Sequence, residues 1–307
     1  MSNNIDLKKG LDIPISGAAA LTVKKTVRPD VVAIKPTDFK GFNPRLLVRE
    51  GDKVLVGSPV LADKKNLDIL FTSPVSGTIE QVVRGEKRKL LAVLVKPDGT
   101  QESVDFGKKD VKSLKADDVK AALLKSGLWP AIIQRPYGVL ADPTATPKAI
   151  FVSAFNTSPL AADTEFVLGG DFAAVQAGVD ALAKLANVIV CVKEGSAFAK
   201  LQGVKMFTVS GKHPAGNVGV QISHISPIKK DETVWTVSLL LLAAIGKLFT
   251  TGKYDVTRKV AVTGPVAKEP SYVEAVPGIP VKALAEDYDN AAGDVRFVSG
   301  DCLSGEN

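Results

Sequence analysis

Between Ala149 and Lys193 the apolar positions change period twice. Ala149 to Ser153 is a short apolar run with a β-branched centre, and it ends in the polar loop Asn156-Thr157-Ser158-Pro159, which reads as a buried strand and a tight turn. From Asp171 to Ala186 the spacing becomes helical, with Phe172, Val175, Val179, Leu182 and Leu185 on one face and Asp171 as the cap or first acidic residue. Asn187 to Lys193 is then a second buried strand. Strand, helix and strand at this spacing predict a βαβ unit, a parallel sheet, and a ligand position past the carboxyl ends of its strands, where the loop from Asn156 to Leu160 lies.

The remaining pattern places this unit between two β-rich regions. Up to about residue 100, short strands are predicted at Arg45–Val48, Val54–Leu55, Pro59–Ala62, Asp68–Thr72, Thr78–Val83 and Leu90–Val95, with Gly51, Gly57, Gly77 and Gly85 in the turns. A helix is predicted over Ala116–Ser126, with Asp117 and Asp118 at its positive end, followed by an extended link around Pro143 and Pro147. A third short strand is predicted within Gly203–Ser210, and a buried helix over Asp231–Phe249, whose middle is almost wholly apolar. From Lys259 the pattern suggests two strands, a short helix over a segment ending at Glu286 and Asp287, and a last strand within Asp294–Gly305, after which the chain stops at Asn307.

Composition narrows the function classes. The 307 residues imply two or three domains, and 45% hydrophobic with 23% charged residues is ordinary for a globular protein. The net charge of +6 is scattered, without a basic stripe interleaved with aromatics, so no nucleic-acid partner is expected. Two cysteines, Cys191 and Cys302, are too few for a four-thiolate iron–sulfur cluster or a cysteine-rich zinc site, and fit a reducing compartment. The N-terminus lacks a signal-type apolar core, and the longest apolar run, Val234–Ile245, is shorter than the ~20 residues that cross a bilayer, so no transmembrane segment is expected.

Candidate chemistry is sparse. Lys212 and the amides around Gly211 and Gly216 could face an anion or a ligand carbonyl, or could simply form a tight turn. His213 and His224, 11 residues apart with no acidic or thiol cluster between them, do not suggest a metal site and read as hydrogen-bonded structural residues. Trp235 reads as a packing anchor rather than a flavin- or quinone-stacking platform. There is no Gly-x-Ser-x-Gly elbow, and the glycine fingerprint that NADH binding would require after Ser153 is replaced by Asn156-Thr157-Ser158-Pro159; no catalytic residue is assigned.

Two resemblances add to this reading. The order VREGDKVLVGSPV and FTSPVSGTIEQV resembles the lipoyl or biotinyl carrier fold, in which a hairpin lysine carries the cofactor. Lys64 and Lys65 stand in the corresponding region, but the carriers' flanking methionines are absent and Lys65 lies nine residues before Pro74, so a scaffold role is expected. More extensively, KKGLDIPISG, FTSPVSGTI, SGLWPA with RPY, AIFVSAFNTSPLAAD, HPAG, AIGKLFTTGKYDVTRKVAVTGP and RFVSGDCLSG occur in an order that resembles NqrA, the A subunit of the bacterial Na+-translocating NADH:quinone oxidoreductases. It is similar, more distantly, to the flavin-binding subunit of respiratory complex I and the C subunit of the Rnf complex.

That resemblance implies an α/β multidomain protein: a lipoyl-like barrel-sandwich domain over 1–100, a Rossmann-like parallel α/β domain over 101–256, and a small, incomplete β-grasp module of the soluble-ligand-binding type over 257–307. A further C-terminal region is implied and not seen, as in a truncated member. Where the distant relatives carry a glycine-rich flavin loop, this chain reads Gly127-Leu128-Trp129-Pro130-Ala131, and Asn156-Thr157-Ser158-Pro159 replaces their acidic and cysteine-containing loop. The expected protein is thus a peripheral subunit on the cytoplasmic face of the inner membrane, binding no cofactor itself. NADH, flavins, iron–sulfur and quinone would be handled by other subunits, which are its expected partners. Asn156, Thr157, Lys212 and His213 are candidates for a ligand- or quinone-facing surface, without a role assigned by the resemblance. The alternative is an NADH-binding or soluble-ligand-binding module of an Rnf-like electron-transfer complex.

Overall fold

The computed structural model describes residues 3–285, 288–289 and 293–306, and in it the chain visits two other sheets before it builds its first β domain. Strand β1 (Asn4–Leu7) runs parallel to residues 208–211 of the central sheet, and β2 (Val23–Thr26) runs parallel to residues 272–274 near the C-terminus. This path was not legible in the sequence, because both partners lie about 200 or more residues away. Seven strands then form two small antiparallel sheets: β3 (Val32–Ile34), β4 (Pro44–Leu46), β5 (Lys53–Val54), β6 (Pro59–Asp63), β7 (Leu70–Thr72), β8 (Gly77–Arg84) and β9 (Leu90–Pro97). Their orders are β3-β9-β8-β5 and β4-β6-β7. Val32, Val60, Leu61, Ile79, Val93 and Val95 are buried between them, and Phe42 stacks on Phe71 at 4.0 Å.

Helix α1 (Ala116–Ser126) has the predicted bounds; the Asp118 carboxylate accepts from the Lys115 amide at its start, and Gly127, at φ 78°, ends it. The chain continues through β10 (Ile133–Arg135), β11 (Val139–Leu140), β12 (Ile150–Ser153), the single turn α2 (Thr164–Val167), α3 (Phe172–Leu182), β13 (Val188–Val192), β14 (Lys205–Gly211), α4 (Val218–Ile225), β15 (Val234–Thr236) and α5 (Leu239–Thr251). The sheet order is β1-β14-β13-β12-β15-β10-β11, with the first five strands parallel and the last two antiparallel to their neighbours. The predicted βαβ unit is therefore present, with β12 and β13 paired from Ile150–Val188 to Ser153–Cys191.

The structure differs locally from the sequence reading in this domain. The helix predicted over 231–249 begins only at Leu239, because Val234-Trp235-Thr236 forms a buried central strand and Ser238 Oγ caps the helix by accepting from the Leu241 amide at 3.1 Å. Helix α4 was not predicted, its valines and isoleucines giving an ambiguous period. Asp171 precedes α3 but makes no side-chain cap; its carboxylate instead receives Lys247 Nζ at 2.9 Å.

Helices α3 and α5 cross in close contact. A Cβ at Gly178 would collide with the Leu242 carbonyl, and one at Gly246 with the Ala174 carbonyl, so each glycine admits the other helix's backbone. Beyond them, β16 (Arg258–Val262) and β17 (Ser271–Ala275) join β2 in a three-stranded sheet, followed by the turn α6 (Val281–Leu284). Glu286 and Asp287 lie outside the described residues. The last predicted strand is not formed among the described residues of 294–305, where only Ser299 makes a bridge, to Glu306.

Candidate functional site

The carboxyl ends of β12, β13 and β14 open into a crevice of about 450 Å³, lined among others by Asn156, Thr157, Asp163, Glu165, Glu194 and Ser210. This is the position expected from a parallel sheet. Several of its polar groups are committed to holding its walls. Asp163 Oδ1 accepts from the Phe166 amide at 2.8 Å and so starts α2, while the Asp163 amide donates to Tyr272 Oη at 2.7 Å, tying the C-terminal sheet to the crevice. Glu165 accepts from the Ala197 amide at 3.2 Å, and Ser210 Oγ donates to the Asp6 carboxylate at 2.9 Å.

The loop after β12 is closed from beneath. Thr157 Oγ1 accepts from the Gly216 amide at 2.9 Å and lies 3.2 Å from His213 Nδ1, a contact in which either atom can donate. Gly216 is buried, and a Cβ there would come within 2.6 Å of the Thr157 nitrogen, so the two loops touch backbone to backbone. Ser153 Oγ lies 2.9 Å from Phe155 O and 3.0 Å from Gly216 O, and accepts from Gln221 Nε2 at 2.9 Å. Near the C-terminus, burial raises the Asp301 pKa, but hydrogen bonds from the Ser304 hydroxyl and the Leu303 and Ser304 amides outweigh it and hold the carboxyl below its ordinary range.

Of the four residues singled out from sequence, Thr157 and His213 are brought together. Asn156 lines the crevice, though its Oδ1 accepts from the Ser158 amide at 2.8 Å. Lys212 stands apart; its Nζ is 3.7 Å from Asp12 Oδ2, with both side chains largely exposed, so it holds little orientation. Sequence reasoning missed Ser153, Gln221 and Tyr272. Asp163 was the readable one, since an aspartate just before Thr164-Glu165-Phe166 is a capping signal.

The other residues weighed from sequence lie outside the crevice lining. Trp129 is fully buried, donates from Nε1 to Ala141 O at 2.9 Å, and meets Trp235 edge-on at 5.4 Å. His224 Nδ1 lies 2.9 Å from Val220 O on its own helix. Burial pushes the Cys191 thiol up to about 12, which makes it a poor nucleophile near neutral pH. Lys64 and Lys65 are exposed on the β6–β7 connection, where the buried Asp63 carboxylate accepts from the Asn43 and Lys65 amides and shapes the turn. Among the described residues there is no cluster of three or more histidine, cysteine, aspartate or glutamate side chains placed to hold a metal ion, and no helix long and apolar enough to cross a membrane.

Comparison with known proteins accounts for this arrangement. Residues 5–98 match the family model of the NqrA N-terminal barrel-sandwich hybrid domain, 114–254 that of the NqrA second alpha/beta domain, and 259–307 that of the NQRA C-terminal domain. The sequence is 37% identical over 306 residues to the A subunit of the Na(+)-translocating NADH-quinone reductase of Pseudomonas aeruginosa PAO1, covering 98% of this chain and 68% of that protein. The chain belongs to the NqrA family of Na(+)-translocating NADH-quinone reductase subunits. The NqrA proteins of Actinobacillus succinogenes and Marinomonas sp. are 38% and 35% identical over 305 and 303 residues, each covered to 68% of its length. As in the family model, the N-terminal region of this NqrA homologue is a barrel-sandwich domain, and the residues that line the crevice all lie within the part that matches the second alpha/beta domain.

Proposed function

We propose that the chain acts as the NqrA component of a sodium-translocating NADH-quinone reductase, docking as a peripheral subunit on the cytoplasmic face and binding no redox cofactor of its own. Electrons pass from NADH to quinone through other subunits; this chain braces them and lines part of the quinone site with the loops that carry Asn156, Thr157, Lys212 and His213. In this reading residues 1–100 are the lipoyl-like domain, 101–256 a Rossmann-like domain and 257–307 a β-grasp module, all kept as scaffold.

The observation that carries the cofactor-free part is the burial of Trp129, with its indole N–H bonded to Ala141 O. A phosphate cradle needs free amides and close backbone approach, whereas here the Gly127, Leu128, Ala131 and Ile132 amides all donate to backbone carbonyls of the same segment. The crevice at the strand ends supports the quinone-facing part and also supports the second reading, a soluble-ligand module that takes NADH.

Alanine substitutions at Asn156, Thr157, Lys212 and His213, each introduced into the assembled complex, test the assignment. A raised KM for quinone, with KM for NADH unchanged, supports it. Unchanged quinone kinetics in all four removes the quinone-facing part, and NADH binding to the isolated chain favours the second reading.

A further inference from the structure

The crevice at the carboxyl ends of β12, β13 and β14 holds few charged groups that are uncommitted. Thr157 Oγ1 is taken by the Gly216 amide and Asn156 Oδ1 by the Ser158 amide, while Lys212 lies by Asp12, outside the lining. Asp163 and Glu165 each use a carboxylate oxygen on a backbone amide, of Phe166 and Ala197 respectively, and Ser210 Oγ donates to Asp6. Lys193 and Glu194 differ. They follow directly on β13, line the crevice and are exposed, and neither side chain has a hydrogen bond or ion pair among the described residues. One amine and one carboxylate, adjacent in the chain, are thus left to meet whatever enters.

The charge of the lining selects the class of ligand. Asp163, Glu165 and Glu194 set three carboxylates against the single amine of Lys193, and Asp6 adds another where it meets Ser210. Such a lining disfavours a phosphate-bearing molecule. Of the two substrates that the NqrA reading offers, NADH carries a pyrophosphate, whereas a quinone headgroup is uncharged; its carbonyl oxygens accept hydrogen bonds and, once reduced, its hydroxyls donate them. Phe155 and Val209 supply apolar lining for the ring. We propose that Lys193 and Glu194 are the headgroup-binding pair of a quinone site in this crevice: Lys193 Nζ donates to a quinone carbonyl oxygen, and the Glu194 carboxylate accepts from a quinol hydroxyl. The inference rests on the quinone-facing reading above and names the groups that hold the ring in it, with Thr157 and His213 shaping the wall.

The test uses the assembled complex. The parent is acetylated with acetic anhydride, with and without a short-chain ubiquinone, and each lysine is read by peptide mass spectrometry. Ubiquinone at about ten times its Kd is expected to lower labelling of Lys193 about tenfold and to leave Lys200, exposed outside the lining, unchanged. In steady-state kinetics Lys193→Met is expected to raise KM for quinone about tenfold with KM for NADH unchanged, as loss of a charge-assisted hydrogen bond does, and Lys193→Arg to recover most of it. Glu194→Ala is expected to weaken inhibition by added quinol about tenfold. The footprint is read on the parent, so it decides even where a variant does not assemble. An unchanged quinone KM in Lys193→Met, or a raised KM for NADH, overturns the pair. Protection of Lys212 without protection of Lys193 overturns the pair and leaves the quinone-facing reading standing. Protection of neither lysine, with parent quinone kinetics in the four alanine variants above, overturns that reading as well.

Discussion

Thr157 Oγ1 lies 3.2 Å from His213 Nδ1 while it accepts the Gly216 amide, so one hydroxyl joins the loop after β12 to the loop after β14. Thr157→Val keeps the shape but leaves the buried Gly216 N–H unpaired, which costs about 1–3 kcal/mol. Thr157→Ser restores the acceptor and most of the stability. Urea midpoints of the three proteins, at unchanged slope, measure this.

Gly178 and Gly246 let α3 and α5 meet along their backbones, so a methyl at either position has to push a helix away. Gly246→Ala is expected to destabilise by about 1–3 kcal/mol or more, with an effect of the same sign for Gly178→Ala. The two costs should not add, because the first substitution already parts the helices. A double-mutant cycle from denaturant unfolding checks both statements.

Lys247 reaches Asp171 at 2.9 Å and Asp255 at 2.8 Å, joining α3, α5 and the approach to β16. Burial lowers its pKa, but the hydrogen bonds to Asp255 and Asp171, with their charges, outweigh this and raise it above 10.5. A raised amine pKa gives stability that is complete below the unfolded value and is lost as pH climbs through the folded one. Stability should therefore fall as pH rises above 10.5, and Lys247→Met should lack that part of the decline; thermal unfolding across this range reads it.

Asp301 behaves with the opposite sign. Despite burial, its carboxyl is held below 3.8 by hydrogen bonds from the Ser304 hydroxyl and the Leu303 and Ser304 amides, so its contribution is present above 3.8 and disappears as pH falls through the lower folded value. Amide protection factors in residues 299–306, taken relative to the intrinsic exchange rate at each pH, should fall on acidification in the parent and be low already at neutral pH in Asp301→Ala.

Local signals carried much of the fold. Helix α1 was legible to the residue because Asp117 and Asp118 mark its start and Gly127 its end, and the crevice position followed from the βαβ pattern of β12, α3 and β13. Strand β15 was lost because Trp235 and Thr236 run straight into the apolar stretch of α5, where period alone cannot separate a buried strand from a buried helix; Ser238 was the readable boundary. At the site, Thr157 and His213 were singled out, but Gln221 was not, because its bond to Ser153 spans 68 residues and leaves no local pattern. The same holds for Lys247, whose partner Asp171 precedes it by 76 residues.

The central proposal is that the α/β domain serves as scaffold without a flavin, its Trp129 indole buried and the Gly127, Leu128, Ala131 and Ile132 amides already bonded to backbone carbonyls. The most direct measurement is equilibrium titration of FMN and of NADH into the purified chain, followed by quenching of tryptophan fluorescence and by calorimetry. The account predicts no saturable quenching and no binding heat for either compound. Stoichiometric, saturable binding of FMN that is weakened by substitution around Trp129 would contradict it.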